Sequence, residues 1–214
     1  LGGEQPGEHE HQARAARAMR DVVRTTELLG EAVEAPDDPD DPDDPDTADG
    51  GSAGGRGALG AQLDVVRRCV ELGAPARVYS VSLGGFDTHA NERNAQARLL
   101  GELDRALGTF LRDVAAGPRG GDVTVLVYSE FGRRVAANTS DGTDHGTAGP
   151  LFVAGPRVRG GFHGEQPGLT DLDDGDLRPT TDFRDVYAAL LAGVLDAEPG
   201  RVLDGHETRL PVLT

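Results

Sequence analysis

Hydrophobic positions fall into a regular pattern after residue 57. Leu59, Leu63, Val66 and Val70 recur every three or four positions, the signature of one helix face. Gly73 and Pro75 follow as stop signals, so this helix is predicted to end near Gly73. Val78-Tyr79-Ser80-Val81-Ser82-Leu83 then alternates with period two, as a strand does. Leu99, Leu103, Leu107 and Leu111 step by four, with Leu100, Phe110 and Val114 beside them. That spacing predicts a long helix with one buried stripe, closed by Pro118. Val123-Thr124-Val125-Leu126-Val127-Tyr128 reads as a central strand, apolar on both faces, and Leu151-Phe152-Val153-Ala154 as a third strand. Asp182 is placed to cap a last helix running through Val186, Tyr187, Leu190, Leu191, Val194 and Leu195. Helices alternating with short buried strands predict an α/β fold class, a layered sheet flanked by helices.

The first quarter of the chain reads differently. Residues 12–35 are rich in Ala and Arg, with Met19, Val22, Val23, Leu28, Leu29 and Val33 at loosely helical spacing. Pro36-Asp37-Asp38-Pro39 begins a three-residue repeat that runs to Asp46. Its carboxylates repel one another and its prolines forbid helix and sheet, so an extended, solvated linker is expected. Residues 50–57 add glycines. The expected organisation is a helical N-terminal segment (1–35), an acidic Pro/Gly-rich linker (36–57) and an α/β domain (58–214). The acidic tract lacks the glycine turn and closing glutamate of a calcium loop.

Composition narrows the function. A chain of 214 residues with 37% hydrophobic residues and 31 glycines is long enough to bury a core. The net charge is −16, and residues 31–50 hold ten acids and no base, which leaves −6 for the remainder. The body is only mildly acidic and has no broad basic surface, which argues against nucleic-acid binding. All 21 basic residues are Arg. The single Cys69 excludes an internal disulfide and sits in the apolar pattern of a helix, as a core thiol does. No apolar run approaches the ~18 residues of a transmembrane helix. The chain begins at Leu1 rather than Met, so a segment upstream is expected.

Three polar clusters lie beside the predicted strands. Asp87 and His89 follow the first; Ser129-Glu130-Phe131-Gly132-Arg133 follows the second; Asp144-His145-Gly146-Thr147 precedes the third. Ligands of α/β sheets collect past the carboxyl ends of strands. Carboxylate with imidazole is the usual donor set for zinc or manganese. Asp87, His89, Glu130 and His145, with Asp144, are therefore expected to share one divalent-metal pocket. The same residues have plainer uses. Asp87 and His89 can bond turn amides, and Glu130 can pair with Arg133. His9, His11 and His206 lie near the termini and are expected to be solvated, and His163 to sit in a turn. Asn138-Thr139-Ser140 fits the glycosylation pattern, discounted in a chain of bacterial character.

Gly84-Gly85-Phe86-Asp87-Thr88-His89, Ser129-Glu130-Phe131-Gly132-Arg133, Gly142-Thr143-Asp144-His145-Gly146 and Thr180-Thr181-Asp182-Phe183-Arg184 together resemble the DUF1501 family, over about residues 58–204. The family is bacterial, of unknown function, and related to the alkaline phosphatase and sulfatase superfamily. The resemblance implies an alkaline-phosphatase-like layered fold and a chain truncated at its N-terminus, since members are usually longer. It implies export by the twin-arginine route, to the periplasm or beyond. Carried onto this sequence, Asp87 and His89 resemble the pair that binds one metal. Ser129-Glu130-Phe131-Gly132 stands where superfamily enzymes have Ser-Asp-His-Gly; Glu130 replaces the acid, and Phe131 cannot replace the histidine. His145 resembles a third ligand, or else Asp144-His145-Gly146 is itself the Asp-His-Gly motif. The implied cofactor is a divalent ion, zinc, manganese or calcium. The implied activity is metal-dependent hydrolysis of a phosphate or sulfate ester, of small-ester or glycan type, by this chain or by a protein of which it is the C-terminal half. The alternative is a non-catalytic exported or envelope binding protein with a degenerate metal site, because the nucleophile is absent from this chain.

Overall fold

The computed structural model describes residues 23, 24, 26–28, 30, 32 and 58–214. The chain divides into two compact units, residues 1–82 and 83–214. The linker predicted over 36–57 lies outside the described residues, as does most of the 1–35 segment. The positions described within that segment are all helical.

In the first unit the predicted spacing gives helix α1 (Ala58–Glu71). It buries Leu59, Leu63 and Cys69, and the Cys69 thiol is 1% exposed, as a core residue. Burial raises the pKa of that thiol. Asp64 pairs with Arg67 and Arg68 at 2.7 and 2.6 Å along the outer face. Gly73 stops the helix at φ 69, where Ala74 N–H bonds back to Cys69 O at 2.9 Å.

The strand predicted over Val78–Leu83 does not pair with any described strand. Alternation reports a segment with two unlike faces; it does not supply a neighbour. Val78 is 68% exposed. The Gln62 side chain provides what a neighbouring strand would: its Nε2 donates to Ser82 O at 3.0 Å, and its Oε1 accepts from Ser82 N–H at 3.1 Å.

The second unit is built on helix α2 (Glu92–Ala116), which buries Leu99, Phe110 and Val114. Leu103, Leu107 and Leu111 are only half-buried, and Leu100 is exposed. Helix geometry explains the difference. At about 100° per residue, steps of four drift by about 40° each, so Leu111 lies about 120° from Leu99, whereas Phe110 lies within about 20° of it.

Strand β1 (Val125–Val127) pairs antiparallel with β4 (Phe152–Ala154), Leu126 opposite Val153. Between them β2 (Gly132–Ala137) and β3 (Thr143–Gly146) form a hairpin, with Arg133 opposite His145. A third ribbon, β5 (Leu172–Asp173) and β6 (Asp176–Leu177), turns at Asp174-Gly175. Both turn residues have positive φ, 50 and 88, a conformation that glycine adopts without strain and that matches the hairpin twist. Helix α3 (Phe183–Gly193) follows, capped as predicted by Asp182, whose side chain accepts from Arg184 N–H at 2.9 Å. A short helix α4 (Pro199–Val202) leads to a C-terminal segment in which Val212 is buried and Thr214 N–H bonds to Arg157 O.

The chain is thus a mixed α/β protein, but its described strands form three separate two-stranded antiparallel sheets rather than one layered sheet. Parallel neighbours need a crossover connection, usually a helix. Between β1 and β4 the chain makes only the β2–β3 hairpin, so it returns antiparallel. His206 also departs from expectation. It is half-buried, with Nε2 at 2.6 Å from Asp185 Oδ1 in the first turn of α3.

Candidate metal centre

The segment that carries Asp87 and His89 has no secondary structure of its own, and Arg133 of β2 holds it in place. Arg133 NH1 donates to Thr88 O at 2.6 Å and to Thr143 O at 2.7 Å. Its NH2 donates to Phe86 O and, at 3.3 Å, to Thr88 Oγ1. Thr88 N–H also bonds back to Phe86 O at 2.9 Å, so the chain turns tightly at Asp87 while the guanidinium holds the carbonyls of residues 86 and 88, and the Asp87 and His89 side chains meet at 3.1 Å.

Glu92 in the first turn of α2 locks the hairpin to that segment. Its side chain is only 12% exposed and faces Arg133 Nε at 3.4 Å. It accepts from Thr143 N–H at 2.5 Å, Thr143 Oγ1 at 2.7 Å and Gln96 Nε2 at 2.5 Å. The hairpin tip in turn satisfies the open helix end: Asn91 and Glu92 N–H donate to Ser140 O and Asp141 O at 3.2 and 3.1 Å. Gly142 is required by close approach, since a Cβ there would stand 2.6 Å from His89 O.

Asn138 completes the frame. Its Oδ1 accepts from Ser140 N–H at 2.9 Å and Gly142 N–H at 3.2 Å, shaping the turn. Its Nδ2 donates to His89 O at 3.0 Å and to Asp144 Oδ1 at 3.3 Å.

This frame brings Asp87, His89 and His145 together. Asp87 Oδ1 lies 2.8 Å from His145 Nε2 and 3.1 Å from His89 Nε2. One donor atom from each residue falls within 4.8 Å of the others, and all three residues are exposed. The His89 and His145 rings stack at 4.8 Å and 28°, and Phe131 stacks on His145 at 3.8 Å and 10°. Asp144 Oδ1 approaches the other nitrogen of His89, Nδ1, at 3.4 Å. Both carboxyl groups are held below their ordinary pKa, Asp87 chiefly by its bond with His145 and Asp144 chiefly by the Asn138 amide and then by His89. Both are therefore ionised at neutral pH.

The donor set fits a divalent cation. Two imidazoles and a carboxylate suit zinc or manganese better than calcium, which takes six to eight oxygens. Bonds of about 2.0–2.2 Å in a tetrahedral site set ligand atoms about 3.3–3.6 Å apart, so the Asp87–His contacts would open by about half an ångström and the two imidazole nitrogens, up to 4.8 Å apart, would close by about 1.2–1.5 Å.

Two of the five residues expected to share the pocket are placed otherwise. Asp144 faces the far nitrogen of His89, the position of a carboxylate that orients a ligand histidine. Glu130 is exposed and lies outside the convergent group, and it makes no ion pair with Arg133, whose acid is Glu92. Glu130 sits in the bend before β2, and the residue beside it, Phe131, is the one that stacks on His145. Arg133, Glu92, Asn138 and Phe131 are the site-building residues that the sequence reading missed. Asn138-Thr139-Ser140-Asp141-Gly142 had the composition of a turn, which was a usable signal. Glu92 had the weaker signal of an acid opening a helix. Arg133 stood within the Ser129–Arg133 motif, but its role was not legible there, since its partners lie at residues 86, 88, 92 and 143.

The sequence profile of a family described as "Protein of unknown function (DUF1501)" matches residues 3–201. No curated protein matches the chain, and no solved structure does.

Proposed function

The chain belongs to the DUF1501 family, and from that premise we propose that it is a metal-dependent hydrolase of phosphatase or sulfatase type, acting on phosphate or sulfate esters at a cation held by Asp87, His89 and His145. The observation that carries the reading is the convergence of these three residues from separate segments. A bound divalent cation would polarise the ester oxygen and acidify a water. The protein's own residues orient the ligands. Asp144, itself oriented by Asn138, takes the Nδ1 side of His89 and leaves Nε2 facing Asp87. Phe131 fixes the ring plane of His145. The exposure of the three ligands leaves room for a substrate. Distant kinship with the alkaline phosphatase and sulfatase superfamily, and export by the twin-arginine route, belong to the same proposal. They are supported by the motif resemblance, and the kinship would lie in the site rather than in a shared layered sheet.

A second reading, a binding protein with a metal site but no turnover, draws support from Phe131, which covers one face of His145 where the superfamily has a further histidine. Hydrolysis of p-nitrophenyl phosphate and p-nitrophenyl sulfate by metal-stripped and zinc- or manganese-loaded protein separates the two. The first reading predicts metal-dependent turnover that His145→Ala and Asp87→Asn abolish. Metal binding without turnover of either ester would favour the second, and equal turnover by wild type and both variants would refute the first.

A further inference from the structure

Three aromatic rings of the second unit stand in one chain of contacts. Phe183 and Tyr187 lie one turn apart on the same face of α3, and their rings meet edge to face at 5.7 Å and 84°. Tyr128, the residue after β1, meets Tyr187 at 6.5 Å and 68°. Rings at such steep angles make corners rather than a flat layer. The corners open to solvent, since Tyr128 is 61% and Phe183 59% exposed. A single exposed ring on a surface is ordinary; a contacting group of open rings marks a place where something binds.

The surroundings select the ligand. The face of an aromatic ring is electronegative and attracts a cation. Among the described residues no arginine lies over Tyr128, Phe183 or Tyr187. Arg184, beside Phe183, is committed to Asp182 at 2.6 Å. Glu130 is exposed and its carboxylate has no ion pair or hydrogen bond among the described residues. Two peptide steps of about 3.8 Å keep its Cα within about 7.6 Å of that of Tyr128. Uncovered ring faces thus stand close to an unused negative charge, in a chain of net charge −16. That combination favours a cation over a neutral apolar group. A primary ammonium carries three N–H donors that each need an acceptor, whereas a quaternary ammonium carries none and presents an apolar methyl surface that rings can cover. We infer that Tyr128, Phe183 and Tyr187, with Glu130 beside them, bind the quaternary ammonium group of a small ligand of choline type. The inference goes beyond the hydrolase reading and does not rest on it.

Titration of the full chain with choline tests this, followed by tyrosine fluorescence. The chain has no Trp and three Tyr, so the two tyrosines of the corner dominate the signal. Wild type is expected to bind choline with a dissociation constant on the order of 1 mM, as open cation–π contacts do. The uncharged analogue 3,3-dimethyl-1-butanol, of the same shape, should bind at least about tenfold more weakly. Tyr128→Ala and Phe183→Ala should each weaken choline binding about three- to thirtyfold, and Glu130→Gln about threefold. Both ring positions are exposed, so these variants should melt close to wild type. Tyr128→Phe keeps the ring and should keep the affinity. Phe162→Ala, which removes an exposed ring elsewhere, should bind as wild type does. Equal binding of choline and its uncharged analogue would mean an apolar patch only and overturn the inference. So would saturation by methyl glucoside in place of choline, no saturation by choline, unchanged affinity in Phe183→Ala, or an equal loss in Phe162→Ala.

Discussion

Replacing Glu92 with Ala removes one carboxylate and leaves several partners without it. The side chain is 12% exposed and Arg133 beside it 18%. Thr143 N–H, Thr143 Oγ1 and Gln96 Nε2 all donate to it. Breaking a buried ion pair from one side costs about 3–5 kcal/mol, because the remaining charge stays buried without its counter-charge. That is a large part of the ~5–15 kcal/mol that holds an ordinary domain together. Glu92→Gln keeps the shape and an acceptor oxygen and loses the charge, so it should cost less, about 1–3 kcal/mol. Urea denaturation at neutral pH, followed by circular dichroism, gives both values. The damage should also reach the site, because the same carboxylate fixes the start of β3 and thus His145. A Glu92→Ala protein within about 1 kcal/mol of wild type, with an unchanged denaturant slope, would refute the claim that this carboxylate joins α2 to the hairpin.

Three further outcomes follow from the packing and the frame. Leu99→Ala should cost about 2–5 kcal/mol, and Leu103→Ala clearly less, because only Leu99 is fully buried; equal losses in urea denaturation would place the buried face wrongly. Asp182→Ala should lower stability by about 0.5–2 kcal/mol through loss of the α3 cap, with no change in metal binding. The Arg184 side chain and then its backbone N–H hold the Asp182 pKa at about 2, below the ordinary 3.8. This contribution is present above about pH 4 and lost as the pH falls toward 2, so the melting-temperature gap between Asp182→Ala and wild type should narrow in acid; a gap that widens there would contradict the cap. Asn138→Ala should weaken zinc binding by about 10–100-fold in calorimetric titration, since it frees Asp144 and with it His89; unchanged affinity would remove Asn138 from the frame.

What the sequence disclosed follows from what is local in it. The helices of residues 58–71, 92–116 and 183–193 are written in short-range periodicity and caps, and Asp182 was readable from its position before an apolar run. Strand pairing is not local. Val78–Leu83 alternates convincingly and pairs with no described strand, whereas the two-residue strands around Asp174-Gly175 are too short for a pattern to show. The site divides in the same way. Asp87, His89 and His145 announce themselves by residue type in Gly-rich surroundings. Glu130 did so equally well, yet it falls in the bend before β2 and outside the convergent group, a placement set by the tertiary fold and not by residue type. The supports are long-range: Arg133 grips carbonyls of a segment before α2, and Glu92 binds a residue at the start of β3.

The central claim is that Asp87, His89 and His145 hold one cation, with Asp144 behind His89 and Glu130 outside. Titration of the full chain with cobalt(II), followed by visible absorption, tests it most directly, because cobalt in a low-coordinate nitrogen and oxygen site absorbs far more strongly than cobalt held loosely by surface acids. The account predicts one strongly absorbing cobalt per chain, lost in Asp87→Ala, His89→Ala and His145→Ala, weakened in Asp144→Ala and kept in Glu130→Ala. Strong absorption that survives in His89→Ala and His145→Ala, or that vanishes in Glu130→Ala, would contradict it.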